Sequence, residues 1–216
     1  MDGTPREQML LYEFAPTRSL RPRWVLQELE VPFKAVPVDL TKNENRTSEF
    51  LGINPAAQVP VLVDGDLVLT ESVAISLYLA EKYPDKHLLP ADMAGRAEVY
   101  KWLLFATTAL EQPLWRISKH TMLYPEKKRL AAEVELARED FVAIAGVAEK
   151  HLSSREYLVG RSVTVADFVL AYTLDWANEV GLLTTFPYLR AYMEHMYLRP
   201  RAPMRIAAAL RVIGLA

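Results

Sequence analysis

The chain has 216 residues, 51% of them hydrophobic, which is enough for the core of one large domain or of two small ones. Its 25 Lys and Arg nearly balance 27 Asp and Glu, so the formal net charge of -2 gives no electrostatic reason to expect a nucleic acid or an anionic membrane as partner. The absence of cysteine excludes disulfides, a thiol nucleophile supplied by the protein and cysteine-ligated metal centres.

The sequence also shows few signals for membrane insertion, secretion or metal binding. No apolar run approaches the roughly 20 residues that a membrane-spanning helix needs. Residues 1–8 are polar and too short for a signal peptide, so we expect a cytoplasmic location. The histidines show no metal-ligand spacing, and we predict no metal site; they are His87, His120, His151 and His195.

The first third of the chain alternates segments typical of strands and of helices. Residues 9–14 form a short apolar run that predicts a buried strand. Residues 19–30 carry apolar side chains near helical spacing, and Ser19 is expected to cap that helix. Residues 33–40 predict a second strand, followed by a short helix near residues 49–51.

A β-hairpin and a helix come next. Two apolar segments flank Asp64-Gly65-Asp66, and an Asp-Gly pair in that position is a strong hairpin signal. Residues 71–83 then predict a helix that Pro84 ends. The order βαβαββα is therefore predicted for a first domain over residues 1–84.

The rest of the chain shows only helical patterns. A proline-rich and charged segment predicts a linker over residues 85–93. Helices are predicted over residues 94–110 and 126–151, and two further apolar stripes follow. One of these begins at Thr164-Val-Ala-Asp167, a capping-box-like sequence in which Thr164 accepts from the Asp167 amide and the acid reaches back. Residues 94–216 are thus predicted to be an all-α bundle.

Four motifs resemble those of cytosolic glutathione transferases, and the resemblance covers nearly the whole chain. They are Ser19-Leu-Arg-Pro-Arg-Trp24, Asn54-Pro55 before Val59-Pro60, the segment from Leu69 to Leu79, and the cap at 164–167. The Val-Pro pair followed by Glu71-Ser72 is the most specific of them. The resemblance, to a bacterial-looking member of serine or threonine type, implies an α/β thioredoxin-like domain that binds glutathione and an all-α domain that forms most of the co-substrate pocket.

The chemistry of glutathione suits the Glu71-Ser72 pair. Its γ-glutamyl end carries a carboxylate, which the Ser72 hydroxyl and the amides of a helix N-terminus would bind, and an ammonium, which Glu71 would pair. An isolated Glu-Ser pair would more simply be a favourable first turn. The resemblance adds that Pro60 is cis, so that Val59 hydrogen-bonds the cysteinyl part of glutathione like an added strand.

Two hydroxyls are candidates for activating the thiol. The resemblance places Thr17 where serine-type members carry their hydroxyl and Tyr12 where tyrosine-type members carry theirs. We favour Thr17, because residues 15–19 look like the serine-type loop and an aromatic in a buried strand is more often core. Arg18 adds positive potential near the thiol or is a solvated loop residue.

The resemblance also implies weaker site assignments. Asn45, Arg46 and Gln58 fall where family members contact the glycyl carboxylate or the tripeptide backbone. The expected lining of the co-substrate pocket consists of Phe14, Phe105, Leu110 and Trp115, whose side chains are equally compatible with a core.

The function that the resemblance implies is conjugation of glutathione, bound as co-substrate without a metal, to hydrophobic electrophiles by a homodimer. Two alternatives remain open at this point. One is a different glutathione-dependent enzyme, such as a dehalogenase, peroxidase, lyase or isomerase. The other is a non-catalytic binding module that retains the fold.

Overall fold

The computed structural model describes residues 8–214, which form two compact units. The second unit spans Leu88–Arg199, and the first combines the residues before it with those from Pro200 onward. This division differs from the predicted domains, because the second unit begins within the expected linker and the C-terminal segment groups with the first unit. The polar segment 1–8, in which no signal peptide was expected, lies outside the described residues except for Gln8.

The first unit contains the predicted βαβαββα order. Its elements are β1 (Met9–Glu13), α1 (Leu20–Leu29), β2 (Phe33–Pro37), α2 (Ser48–Ile53), β3 (Val61–Asp64), β4 (Leu67–Thr70) and α3 (Ser72–Lys82). Short 3-10 turns at Leu40–Lys42 and Glu44–Arg46 lead into α2, and a third at Pro84–Lys86 follows α3. The hairpin between β3 and β4 turns at Gly65, whose φ of 59° glycine adopts without steric cost.

The four strands form one mixed sheet in the order β2-β1-β3-β4. Strand β1 runs parallel to β2 and antiparallel to β3, which pairs antiparallel with β4. Tyr12 is opposite Val61, and Val61 is opposite Thr70. The chain segments that follow β1, precede β3 and follow β4 therefore leave the sheet at the same end.

The side chains of the sheet divide between its two faces. Leu11 and Tyr12 are consecutive, so they point to opposite faces. Tyr12 packs with a cluster in which Val38, Phe50 and Val61 are buried. Its ring meets that of Phe50 edge to face, with the ring centres 6.0 Å apart. Helix α2 thus covers the face that Tyr12 occupies, while α1 packs against α3.

The second unit is all-helical, as predicted. It contains α4 (Met93–Leu104), α5 (Glu111–Ser118), α6 (Ala131–Leu152), α7 (Val165–Glu179) and α8 (Pro187–Tyr197). The helix predicted to continue to residue 110 becomes π-helical over Phe105–Leu110, where the Thr107 and Thr108 hydroxyls each donate at 2.8 Å to a carbonyl four residues earlier. A further helix, α9 (Ile206–Val212), belongs to the first unit.

Asp167 organises the start of α7. Its Oδ2 accepts from the Thr164 amide at 2.7 Å and from the Thr164 hydroxyl at 2.8 Å. Its Oδ1 accepts from the Leu158 amide at 2.8 Å and from the Tyr192 hydroxyl at 2.7 Å. The acid reaches back as predicted, and it also joins α7 to α8. Across residues 8–214, no helix has both the length and the apolar content to cross a membrane.

Candidate functional site

Three segments that are distant in sequence meet at one end of the sheet. The register of β1, β3 and β4 brings together the loop after β1, the Val59-Pro60 pair before β3 and the Glu71-Ser72 pair after β4. The Val59-Pro60 peptide bond is cis, as the resemblance implied, and the Ala15-Pro16 bond in the loop after β1 is also cis. The motifs selected from the sequence therefore occupy a common edge.

The N-terminus of α3 provides the polar groups of this edge. Glu71 is exposed in the N-cap position with a φ of 68°, a region that non-glycine residues occupy at a cost and that is often found at functional sites. Ser72 is buried at the first helical position. The first amides of a helix have no intrahelical acceptor, so they are available to an anion beside Ser72.

Arg21 is a residue of this edge that the sequence reasoning missed. Its side chain is 1% exposed, and its Nη1 donates to the Ser72 hydroxyl oxygen at 3.3 Å. The contact fixes the Ser72 side chain and brings a positive charge to it. The signal available in the sequence was a charged residue among apolar neighbours in the first turn of α1.

The loop that carries Val59 is held by two asparagines. The Asn54 side chain donates to the Gln58 carbonyl at 2.8 Å and accepts from the Ala56 amide at 3.1 Å. Asn45, expected to contact glutathione, donates to the Ala57 carbonyl at 2.7 Å. This hydrogen bond ties the 3-10 turn before α2 to the loop. Gln58 is exposed and Val59 is half-buried, so both reach the surface.

The candidate hydroxyl Thr17 belongs to a hydrogen-bonded loop. Its Oγ1 donates to the Phe14 carbonyl, lies 2.8 Å from Ser19 Oγ and accepts from the Ser19 amide at 3.3 Å. Ser19 occupies the N-cap position of α1, but its hydroxyl turns to Thr17 and to the Phe14 amide. The expected capping role of its side chain is therefore wrong. Arg18 is half-buried beside Thr17.

Tyr12 has a different environment from Thr17. It helps to line a surface cavity of about 270 Å³ between the end of β2 and helix α2, where Val36 and Ile53 are among its neighbours. Glu44, Thr47 and Glu49 also line this cavity, whereas the cluster around Phe50 is apolar. The half-buried ring of Tyr12 thus packs on one side against the cluster around Phe50 and borders the cavity on the other.

The residues expected to line a co-substrate pocket fall in both units. Phe14, in the first unit, is half-buried. In the second unit, Phe105 packs edge to face on Trp102, and Trp115 packs edge to face on Trp176. Phe105 and Trp115 each retain exposed surface. Leu110 is fully buried and so presents no surface to a ligand in this conformation. Among residues 8–214, no three His, Asp or Glu side chains are grouped so as to hold a metal ion.

Comparison with protein-family models identifies both parts of the chain. The model described as the N-terminal domain of glutathione S-transferase matches residues 7–81. The model of the C-terminal domain of the same family matches residues 105–200.

Curated relatives match over most of the chain. Glutathione S-transferase 1 of Dianthus caryophyllus is 33% identical over 93% of this chain and 94% of that protein. Glutathione S-transferase F10 of Arabidopsis thaliana is 37% identical over 80% of this chain and 84% of that protein.

Solved structures have the same fold. A glutathione-S-transferase from Xylella fastidiosa superposes with a TM-score of 0.82 at 28% identity, covering 97% of this chain and 100% of its own. The glutathione transferase URE2P8 from Phanerochaete chrysosporium, solved with oxidized glutathione, has a TM-score of 0.84 at 24% identity and covers 99% of both chains. At that identity the second likeness concerns the fold.

Proposed function

Because this chain belongs to the glutathione S-transferase family, we propose that it is an enzyme that conjugates the thiolate of glutathione to hydrophobic electrophiles. The observation that carries the proposal is the meeting of the loop after β1, Val59-Pro60 and Glu71-Ser72 at one end of the sheet. That edge offers complementary groups to each part of the tripeptide.

The γ-glutamyl end of glutathione is assigned to the start of α3. The Ser72 hydroxyl and the free amides of the first turn donate to its carboxylate, and the exposed Glu71 carboxylate pairs with its ammonium. Arg21 supports this assignment, because its guanidinium adds positive charge beside Ser72. The backbone of Val59 is assigned to the cysteinyl part and the exposed Gln58 to the glycyl end, while Asn45 holds this loop through the Ala57 carbonyl.

The thiol is assigned to the loop after β1. A free thiol has a pKa of about 8.5, so a donor that stabilises the thiolate raises the reactive fraction at neutral pH. Thr17 is that donor, and reaching the sulfur requires its hydroxyl hydrogen to leave the Phe14 carbonyl. The location of Tyr12 in the cluster around Phe50 favours Thr17 over it. The thiolate then attacks the electrophilic carbon, forming a thioether and expelling the leaving group.

The electrophile is assigned to the apolar surface that Phe105 and Trp115 provide in the helical unit. These side chains retain exposed area and have no charge, which suits a hydrophobic co-substrate. Arg18, half-buried beside Thr17, adds positive potential near the thiolate. We also propose that the protein acts in the cytoplasm, which fractionation of the source cells would test.

A homodimer is part of the proposal. Strand β4 is an edge strand that exposes Leu67 and Val68, and α4 exposes Met93 and Leu104. Contiguous exposed apolar surface marks protein contacts, and a homodimer would cover the side chains that these two elements leave exposed. Light scattering should give twice the 24.5 kDa chain mass, and a stable monomer would refute this part.

Calorimetric titration with glutathione, followed by assays with a panel of aryl halides, alkyl halides and hydroperoxides, tests the function. We expect saturable binding and turnover of at least one electrophile. Absence of binding would refute the proposal. Binding without turnover of any member of the panel would favour a binding module.

A further inference from the structure

The loop between Phe14 and Ser19 contains a closed ring of hydrogen bonds. The Phe14 amide lies 3.3 Å from Ser19 Oγ, Ser19 Oγ lies 2.8 Å from Thr17 Oγ1, and Thr17 Oγ1 contacts the Phe14 carbonyl. The Thr17 amide also donates to that carbonyl at 3.0 Å. The two hydroxyls and the backbone amide and carbonyl of Phe14 thus satisfy one another.

The backbone groups of Phe14 determine which atom is the donor in each hydrogen bond of this ring. An amide only donates, so Ser19 Oγ accepts from Phe14. A carbonyl only accepts, so the Thr17 hydroxyl donates to Phe14. Each hydroxyl has a single hydrogen, and Ser19 must therefore be the donor in its contact with Thr17.

Ser19 consequently acts on the donor strength of Thr17. The oxygen of Thr17 accepts from both the hydroxyl and the amide of Ser19, and accepting hydrogen bonds polarises its own O–H group. When the Thr17 hydrogen turns to a thiolate, the Phe14 carbonyl keeps the Thr17 amide as partner. The rearrangement leaves no acceptor of the ring unsatisfied.

Ser19 itself is not a contact for the substrate. Its side chain is 1% exposed, whereas Thr17 is only partly buried. From this arrangement, and resting on the proposed function, we infer that Ser19 is a positioning residue that orients and polarises the Thr17 hydroxyl toward the thiolate of bound glutathione.

The test is a double-mutant cycle in the full chain with Ser19→Ala, Thr17→Ala and both together. The pKa of the glutathione thiol in each complex is measured from the ultraviolet absorbance of the thiolate. Ser19→Ala should leave about three- to tenfold less thiolate at neutral pH, with glutathione affinity changed less. In the Thr17→Ala background, removing the Ser19 hydroxyl should change nothing further.

Three further variants separate this role from a structural one. Ser76→Ala removes another buried serine hydroxyl, which donates to the Ser72 carbonyl at 2.8 Å, and should titrate like wild type. Ser19→Thr keeps the donor and should also titrate like wild type. Ser19→Val has the shape of Ser19→Thr without a hydroxyl and should behave like Ser19→Ala, which preserves the test if the alanine variant does not fold.

The outcomes distinguish the two proposals. The role of Ser19 would be overturned if Ser19→Ala or Ser19→Val titrated like wild type, or if removing the Ser19 hydroxyl had an undiminished effect in the Thr17→Ala background. Either result would leave the transferase function intact. If Thr17→Ala titrated like wild type, Thr17 would not activate the thiol. The assignment of Thr17 and that of Ser19, which acts through it, would then both be overturned. Failure of the wild-type protein to bind glutathione would instead overturn the proposed function.

Discussion

The guanidinium of Arg21 donates to the hydroxyl of Ser72 at 3.3 Å and joins the first turns of α1 and α3. Both side chains are buried, so the contact is shielded from solvent. It gives the candidate glutamyl site a fixed donor geometry before any ligand arrives, since the Ser72 side chain already has one partner.

Ser72→Ala should weaken glutathione binding about tenfold or more, because a hydrogen bond to a carboxylate contributes about 1.5 to 3 kcal/mol. The free energy of unfolding should fall by about 1 kcal/mol, since Arg21 loses an acceptor. Calorimetry and urea unfolding measure the two effects. Ser153→Ala, which deletes an exposed serine hydroxyl that donates to the Lys150 carbonyl in the second unit, is the matched control, and unchanged affinity in Ser72→Ala would contradict the assignment.

Thr17→Ala and Tyr12→Phe each delete one hydroxyl, and only the activating residue should control the pKa of the bound thiol. Thr17→Ala should raise that pKa and cost about 1 to 3 kcal/mol of thiolate stabilisation. Tyr12→Phe keeps the ring that packs on Phe50 and should leave the pH profile of turnover nearly unchanged. If Tyr12→Phe shifted the pH profile and Thr17→Ala did not, the protein would be a tyrosine-type member of the family.

Asp167→Ala should lower the free energy of unfolding by about 3 to 5 kcal/mol, because it leaves the amides of Thr164 and Leu158 and the hydroxyl of Tyr192 without their buried acceptor. Thr164→Ala should cost only about 1 to 2 kcal/mol. Urea unfolding provides the values. Glutathione affinity at temperatures where both variants are folded should stay close to wild type, and its loss would show that this network is part of the binding site.

The pH dependence of the turn before α2 follows from Asp39. Hydrogen bonds from Lys42, and then from Thr41, lower the pKa of this carboxyl from its usual 3.8 to about 2. A lowered pKa in the folded state means that the stabilisation is present above pH 3.8 and is lost as the pH falls toward 2. Carbon-detected NMR titration should give a midpoint near the lower value. Lys42→Met should raise it, and a midpoint at 3.8 in wild type would contradict the contact.

The sequence was sufficient for the order of elements in the first unit. An Asp-Gly turn, alternating strand and helix periods, and Pro84 after α3 are local signals, and each corresponds to an observed feature. The observed ends of the strands and helices differ from the predicted ends by a few residues. The C-terminal helix α9 could not be assigned to the first unit, because that grouping depends on tertiary contacts that no local pattern records.

Parts of the candidate site could not be predicted from the sequence for a similar reason. Arg21 is charged, and a charged residue near a helix start is exposed by default, so its burial beside Ser72 required the fold. Asn45 was selected as a ligand contact, whereas its amide supports the loop at Ala57. The assignments of Thr17, Val59, Glu71 and Ser72 stay predictions that the variants above test.

Tyr12 opposes Val61, and Val61 opposes Thr70. Because of this register, only a correctly folded chain can bind the ligand. The three segments meet only when β1, β3 and β4 are paired, so an unfolded or misregistered chain has no complete site to offer. A ligand that binds only the folded state adds about 2.7 kcal/mol of apparent stability at a hundredfold excess over its dissociation constant. In a cell rich in the tripeptide, the occupied protein would therefore be protected from proteolysis, and depletion of the ligand would shorten its lifetime.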